Sequence, residues 1–425
     1  MSNEWDCIII GAGAAGLLAA SVAAENGRKS LLLEKNTKAG VKILMSGGTR
    51  CNITHAVDKQ GIIEAYGQQG PFLHSALSTL TPSQLVELIE SEGVETKTEE
   101  GGKIFPASDR ALDVQQALLA RLERSGSDLR LQQHVHSVTR EENGFAIKTD
   151  DRVYQCESVL ITTGGKSFPG CGTTGEGYGW LEQLGHSIVP PRPALVPITS
   201  NAEWVTGLQG LTLPKVRLHV ETATGEVVRT TGKAKGRARA NFRDDAIGSL
   251  LFTHFGLSGP VALDLSRVIT LQEDRRNLVV ICDFLPEVEA NDFEQQLKSQ
   301  CEQGGKKQLS SILYRWFLKR QADTIMSQAE VPFDRRGAEL SKVQQERIVR
   351  WTKRAAIPIT GTLGFEKAEV TTGGIALKEV NSKTMESKLV PGLFLAGEIL
   401  DLDGPIGGYN FQAAFSTGYL AGLNI

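Results

Sequence analysis

Six residues near the start of the chain, Gly11-Ala12-Gly13-Ala14-Ala15-Gly16, carry the spacing GxGxxG. The first glycine permits a tight turn after a strand, the second lets backbone approach a pyrophosphate, and the third lets helix and strand pack closely. The anion then rests on the helix start, where free N–H groups and the dipole favour negative charge. Glu34 ends the apolar run Ser30–Glu34, 18 residues after Gly16, and is placed to accept hydrogen bonds from a ribose hydroxyl. Together these predict dinucleotide binding; the plainer reading is a structural glycine turn. A second GxGxxG, Gly170–Gly175, follows Pro169 rather than a strand, and no acid ends a strand ~20 residues later. It reads as a loop packed near the same ligand.

The end of the chain points to which dinucleotide. Val390–Glu398 is an apolar strand ending in Gly397-Glu398. It resembles the late FAD motif of flavoproteins with this Rossmann variant, in which an acid, more often Asp, binds the ribityl chain. Gly407-Gly408-Tyr409-Asn410 then leads into the apolar helix Gln412–Gly422, whose N-terminus would stabilise negative charge on the reduced flavin. An ordinary strand-turn-helix is the alternative. Leu160–Gly165, with Thr163 and Gly164, resembles the middle motif of the same flavoproteins. Lys35 and Val135 are counted as further cofactor contacts. With one dinucleotide unit, a reductant such as NAD(P)H has no Rossmann domain of its own and must reach the flavin directly.

In order, Gly11–Gly16, Lys42 with Ser46–Asn52, Phe252–Pro260, Val370–Gly374 and Gly397–Asn410 resemble the aminoacetone-oxidase-type, or BaiN-like, FAD-binding flavoproteins. The likeness runs from the first strand to the last helix. It implies an FAD domain interrupted by a β-barrel with helices. Members are linked to aminoacetone oxidation, reduction of unsaturated steroid intermediates, and dihydrouridine formation in ribosomal RNA, so the family alone does not fix a substrate.

The Ser46–Asn52 loop, with Ser46, Gly47 and Asn52, resembles the flavin-contacting loop of related proteins. Lys42 and Arg50 are placed to neutralise the pyrophosphate or a flavin anion. Cys51 beside a flavin would protonate a substrate carbon after hydride reaches its neighbour, or it is a packed small hydrophobe. His254, in the Phe252–Pro260 segment, is either a proton donor or acceptor near neutral pH or an ordinary interface residue. Tyr409 and Asn410 shape the flavin cavity rather than react. Lys233, Lys235, Arg237 and Arg239, with Arg243, form the densest basic stretch, suited to phosphate contacts. Arg347, Arg350, Lys353 and Arg354 add charge at helical spacing; solvated faces explain both runs as well.

To position these residues the chain needs a βαβ unit: a strand at Cys7–Ile10, a helix at Leu17–Asn26 and a strand at Ser30–Glu34. Gly40–Asn52 reads as a loop, and helices are predicted at Phe72–Thr79, Pro82–Glu92 and Leu112–Arg124. Strands are predicted at Asp128–Gln132, Val135–Arg140, Gly144–Thr149, Val153–Gln155 and Ser158–Thr162. Pro190, Pro191 and Pro193 mark a boundary that stops sheet pairing. Beyond it, Lys215–Glu221, Glu226–Thr231 and Leu278–Phe284 read as strands and Phe293–Arg354 as mostly helix. The fold class expected is α/β. A discontinuous Rossmann-type FAD domain, 1–191 and 362–425, is interrupted by a substrate-facing module, 192–361, with a β part near 192–285 and helices near 290–355.

Length of 425 residues and 40% hydrophobic content suit two or three globular domains. Residues 192–361 hold 25 Lys and Arg against 19 Asp and Glu, a net of +6, while the rest carries −9. A basic middle suits a polyanionic partner such as ribosomal RNA, or is simply solvated charge. Six scattered cysteines form no CxxC and no metal-ligand pairing with the seven histidines, so no metal is expected. Free thiols and a first strand that begins at once predict a cytoplasmic protein without a signal peptide or membrane span. The leading functional expectation is hydride transfer from reduced FAD to an activated C=C, with uridine in ribosomal RNA as substrate. A small-molecule oxidase or reductase is the alternative, and a flavin-holding regulatory protein the third.

Overall fold

The computed structural model describes residues 4–229, 245–275 and 277–425. The chain divides into two compact units, Met1–Ala194 with Phe365–Ile425 and, between them in sequence, Leu195–Gly364.

The first unit is built on a seven-stranded sheet. Four strands, Asp128–Arg130, Ser30–Leu33, Trp5–Ile10 and Val153–Ile161, lie side by side in parallel. Leu393–Leu395 adds a fifth parallel strand against Val159–Ile161. The antiparallel hairpin of Val135–Glu141 and Gly144–Thr149 completes the sheet. Ile8, Ile9, Leu31, Leu32, Val159 and Leu160 are wholly buried, because central parallel strands are covered on both faces and read as continuous apolar runs. Val153–Gln155 and Ser158–Thr162, expected as two strands, are one.

The helix Ala14–Glu25 is apolar nearly all round and accordingly buried over its first ten residues. Its partner is the last helix, Tyr409–Asn424. A β-carbon at Gly418 would lie 2.4 Å from the Ala15 carbonyl oxygen, and one at Gly422 would lie 2.6 Å from that of Ala19. Glycine is what allows the two helices to approach so closely, and this contact joins the two ends of the chain.

Two expectations about this unit change. The segment Ile188–Ala194, which contains the three prolines, is a strand paired antiparallel with Val370–Ile375. It belongs to a sheet of only two strands, so both are edges, and the ladder shifts register between Val189 and Arg192. An edge strand can carry residues that lack an N–H. The glycine-rich segment after Gly40 opens as a helix, Val41–Thr49, that breaks at Ser46–Gly48.

His186, just before that proline strand, has a fully buried side chain, with Nε2 2.9 Å from Ser387 Oγ and Nδ1 3.3 Å from Glu379 Oε2. Burial holds its pKa below the ordinary 6.5, against the opposing pull of Glu379. The unfolded chain therefore takes up a proton that the folded chain resists. Its contribution is complete above about pH 6.5 and is lost as pH falls below that value. Glu379, itself lowered, loses its contribution only around and below 4.5. Denaturation midpoints should fall from about pH 7.5 to about pH 5.5 in the wild type and less steeply in His186→Gln. Equal slopes would contradict this assignment.

The second unit holds a seven-stranded antiparallel sheet whose edges are Ala355–Pro358 and Gly361–Thr362. Only Ile359 and Thr360 separate those edge strands in the chain, so the sheet has to curl round to bring them together, as in a barrel. The helix Pro260–Thr270 packs on it, and four further helices between Ala290 and Lys353 make the helical part. Pro260–Thr270 and the strand Asp245–Thr253 were absent from the sequence reading. Glu226–Thr231 forms only an isolated bridge, Glu221 to Val227, among its described residues. No helix among the described residues is long and apolar enough to cross a membrane.

Candidate functional site

Gly11, Glu34, Thr162 and Ala396 each follow the last residue of a parallel strand of the first unit, so one edge of the sheet collects the candidate residues. Ligands of open α/β sheets bind at this carboxyl edge. Gly11 donates its N–H to Leu33 O at 2.8 Å, and Thr162 donates its own to Ile10 O at 2.9 Å. Gly11 has φ +103°, and a β-carbon there would lie 2.7 Å from Thr162 O. A β-carbon on Gly16 would come within 1.9 Å of Gly11 O. At Gly13 nothing lies within 4 Å of that position. The middle glycine thus faces open space, and the helix that begins at Ala14 has no side-chain cap and no acid in its first turn. An uncapped helix start beneath an open cradle suits a pyrophosphate.

Glu34 is buried, with Oε2 accepting from Ala12 N and Oε1 from Asn36 N, both at 2.9 Å. Each oxygen keeps a second lone pair for a ribose hydroxyl. Lys35 turns to Glu176 (2.8 Å) and Thr174 (3.0 Å), in the region of the rejected glycine motif. That motif has no strand before it and leads through Gly175 into the short helix Glu176–Gln183. Asn36 Nδ2 bonds to Cys171 O at 3.0 Å, packing it against the segment after Ser30–Leu33. Val135 is buried at the start of its strand. Thr163 Oγ1 is buried with no partner among the described residues, and a β-carbon on Gly164 would press on Thr173.

Glu398 forms the best-connected polar cluster. Its Oε2 pairs with Lys42 Nζ at 2.6 Å, and its Oε1 accepts from Ser167 Oγ at 2.5 Å and Thr371 N at 2.9 Å. Lys42 also donates to Ser167 at 2.6 Å. Lys42, expected to neutralise a phosphate or flavin anion, is committed to Glu398. Glu398→Ala leaves the Lys42 ammonium, the Ser167 hydroxyl and the Thr371 N–H without this acceptor. It should destabilise the FAD-free chain by about 1–3 kcal/mol, and Glu398→Gln by less. Chemical denaturation giving equal losses for both would refute the claim that the acceptor matters.

Arg50, expected beside the phosphate or flavin anion, is paired with acids of its own chain. It meets Glu99 at 2.7 Å and Asp109 at 3.3 Å and lies 4.0 Å over the Phe105 ring. The strands Thr96–Thr98 and Lys103–Pro106 form the antiparallel pair around this network. Cys51 is fully buried, and desolvation pushes its thiol up to about 12 against a weaker effect of Ser46. A thiol with no open surface cannot reach a substrate, so the geometry supports packing over proton transfer. The backbone around it is unusual: Gly47, Gly48, Thr49 and Cys51 all have positive φ. For Thr and Cys such conformations cost about 1–3 kcal/mol each and persist only where surroundings impose them.

Those surroundings come from the chain's far end. Asn52, with its amide oriented to satisfy both ends, donates to Ile104 O (3.1 Å) and Thr54 O (2.9 Å) and accepts from Gly408 N (3.0 Å). Gly407 and Gly408 have φ +123° and +92°, and a β-carbon on Gly408 would lie 2.4 Å from Thr54 O. Asn410 folds this loop back, accepting from Gly404 N at 2.7 Å and donating to Gly404 O at 3.0 Å. Tyr409 stacks on His55 with ring centroids 4.6 Å apart, while His55 Nδ1 lies 2.9 Å from Gly407 O. Gly397 donates to Thr417 Oγ1 at 3.0 Å, tying the Gly-acid turn to the last helix. That helix also starts without a side-chain cap or an acidic first turn.

Sequence reasoning missed His55, Ser167 and the role of Thr371, which accepts from Lys166 N and Ser167 N at 2.8 and 3.0 Å. Thr371 lay inside a motif already noted, but His55 and Ser167 had no local signal.

In the second unit His254 is exposed, beside the tight turn between Asp245–Thr253 and Gly256–Ser258, with Phe255 edge-on at 5.0 Å. Lys233, Lys235, Arg237, Arg239 and Arg243 lie outside the described residues. The helical basic run is largely spent internally. Lys353 pairs with Asp283 at 2.7 Å and Arg354 with Glu221 at 2.9 Å, while Arg347 pairs with Glu330.

The family described as HI0933-like protein Rossmann domain matches residues 5–424. A ribosomal RNA dihydrouridine synthase of Escherichia coli K12 is 34% identical over 98% of this chain and 97% of its own. One of Haemophilus influenzae is 33% identical over 100% and 99%. A 3-dehydro-bile acid delta(4,6)-reductase of Clostridium scindens is 31% identical over 97% of each.

Proposed function

The chain belongs to the HI0933-like family of FAD-dependent oxidoreductases, and from that premise we propose that it reduces the C5=C6 bond of a uridine in ribosomal RNA. The observation that carries this reading is near-full-length similarity to two ribosomal RNA dihydrouridine synthases. FAD, when bound, supplies a hydride to the electron-poor carbon of such a bond, and a proton completes the neighbouring carbon.

The chain's own residues do the holding. Gly11, Gly13 and Gly16, with the N–H groups of Ala14 and Ala15, take the pyrophosphate, and Glu34 takes the adenosine ribose. Glu398, steadied by Lys42 and Ser167, takes the ribityl chain. The turn at Gly407–Asn410 leads into the uncapped start of the last helix, whose positive potential would favour negative charge on a reduced flavin held there. His254 enters as the candidate proton donor on its residue type alone. Lys233, Lys235, Arg237, Arg239 and Arg243 enter as RNA contacts on their spacing alone.

The test is an anaerobic single turnover. Holoenzyme reduced in advance and mixed with ribosomal RNA lacking dihydrouridine should reoxidise its flavin and form one dihydrouridine per flavin. Reoxidation by a small enone but not by RNA would transfer the assignment to the second reading, a small-molecule reductase. The similarity to the bile acid reductase favours that reading next.

A further inference from the structure

We propose that His134, His136 and Asp150 form a binding site for a divalent first-row transition ion, for which zinc is the probe. The site is independent of the substrate reading.

The hairpin register creates it. His134 immediately precedes the strand Val135–Glu141 and His136 is its second residue, where the ladder shifts register between Val135 and Ser137. Val135 pairs with Thr149, so Asp150, the next residue, is delivered beside both imidazoles. His136 Nε2 lies 2.5 Å from Asp150 Oδ1, and the two rings have centroids 4.7 Å apart. One ligand atom from each residue falls within 4.8 Å of the other two. A tetrahedral ion with bonds of about 2.0–2.1 Å would set them about 3.4 Å apart, between the 2.5 Å of His136–Asp150 and the 4.8 Å that bounds the set. Rotations of exposed side chains suffice for that movement.

Two imidazoles and one carboxylate are a donor set suited to zinc, nickel, copper or ferrous iron rather than to magnesium or calcium. The surroundings support the ligands. Glu176 Oε1, held by Lys35 Nζ at 2.8 Å, lies 3.5 Å from His134 Nε2 and is placed to orient that ring. Trp180 Nε1 donates to the His136 carbonyl at 3.1 Å, fixing the backbone from which that imidazole springs. Outer contacts of this kind orient metal ligands. All three ligands are at least partly exposed, so an ion enters from solvent and keeps water in its remaining positions. A bound ion would tie the end of the hairpin together, and a ligand that binds only the folded state raises its stability.

Full-length holoenzyme, stripped with chelator and passed through a desalting column after exposure to zinc sulfate, should retain one zinc per chain more than His134→Gln/His136→Gln. Asp150→Asn should lie between. Zinc should also raise the melting temperature of the wild type but not of the double variant, whose flavin content shows that it is folded. The six cysteines are buried and common to all three chains, so they cancel in the comparison. Equal zinc in wild type and double variant would overturn the site and leave His136–Asp150 as a hydrogen-bonded pair only.

Discussion

Gly13→Val should give a folded chain that purifies almost free of flavin. The three glycines of the turn differ in what surrounds them. Gly13 has φ −81°, an ordinary value for any residue, and open space where its β-carbon would be. Valine there strains no backbone, but its methyl groups occupy the place through which a pyrophosphate reaches the N–H groups of the helix. Gly16 has no such space, because its β-carbon would sit 1.9 Å from Gly11 O. Gly16→Val must therefore push the helix Ala14–Glu25 off the first strand, and it should fail to fold. Flavin absorbance per chain should fall about tenfold or more in Gly13→Val, an affinity loss of at least about 1.4 kcal/mol. The melting temperature of the FAD-free forms should stay within a few degrees of wild type. Equal loss of folding in both variants would show that the space above Gly13 is not a ligand cradle.

The second large effect concerns RNA. Lys235→Ala, Arg237→Ala and Arg239→Ala combined should weaken binding to ribosomal RNA by at least about tenfold at low salt. They should also flatten its salt dependence, since each lost phosphate contact removes about 0.7–0.9 from the log–log slope. FAD content should not change, because none of these residues belongs to the glycine turns or Gly-acid motif expected to hold the cofactor. An unchanged slope would remove the basic stretch from the RNA surface. The other basic run is a poorer candidate, with Lys353 and Arg354 already paired to Asp283 and Glu221.

What was legible in the sequence follows the range of the interactions involved. The glycine turn, the strands that flank it and Glu34 depend on backbone geometry within one βαβ unit, so spacing alone conveyed them. The pairing of Lys42 with Glu398 joins residues 356 positions apart. No local pattern announces such a pair, and both partners were read separately as ligand contacts. The partners of Arg50 were illegible for a related reason, because Glu99 and Asp109 reach it only after Lys103–Pro106 pairs with its neighbour strand. The prolines at 190, 191 and 193 were read by their missing N–H groups, a rule that holds for central strands and relaxes at an edge. Cys51 was attractive by position, and its burial is a tertiary fact. His134 and His136 were passed over because the proposed third ligand, Asp150, is brought to them by strand pairing rather than by a cysteine in sequence.

The most direct test of the central claim is mass analysis of ribosomal RNA from cells lacking this gene. The account predicts loss of one dihydrouridine, restored by the wild-type chain and not by Gly13→Val, which would make the modification flavin-dependent and due to this protein. Ribosomal RNA with its dihydrouridine content unchanged by the deletion would contradict it.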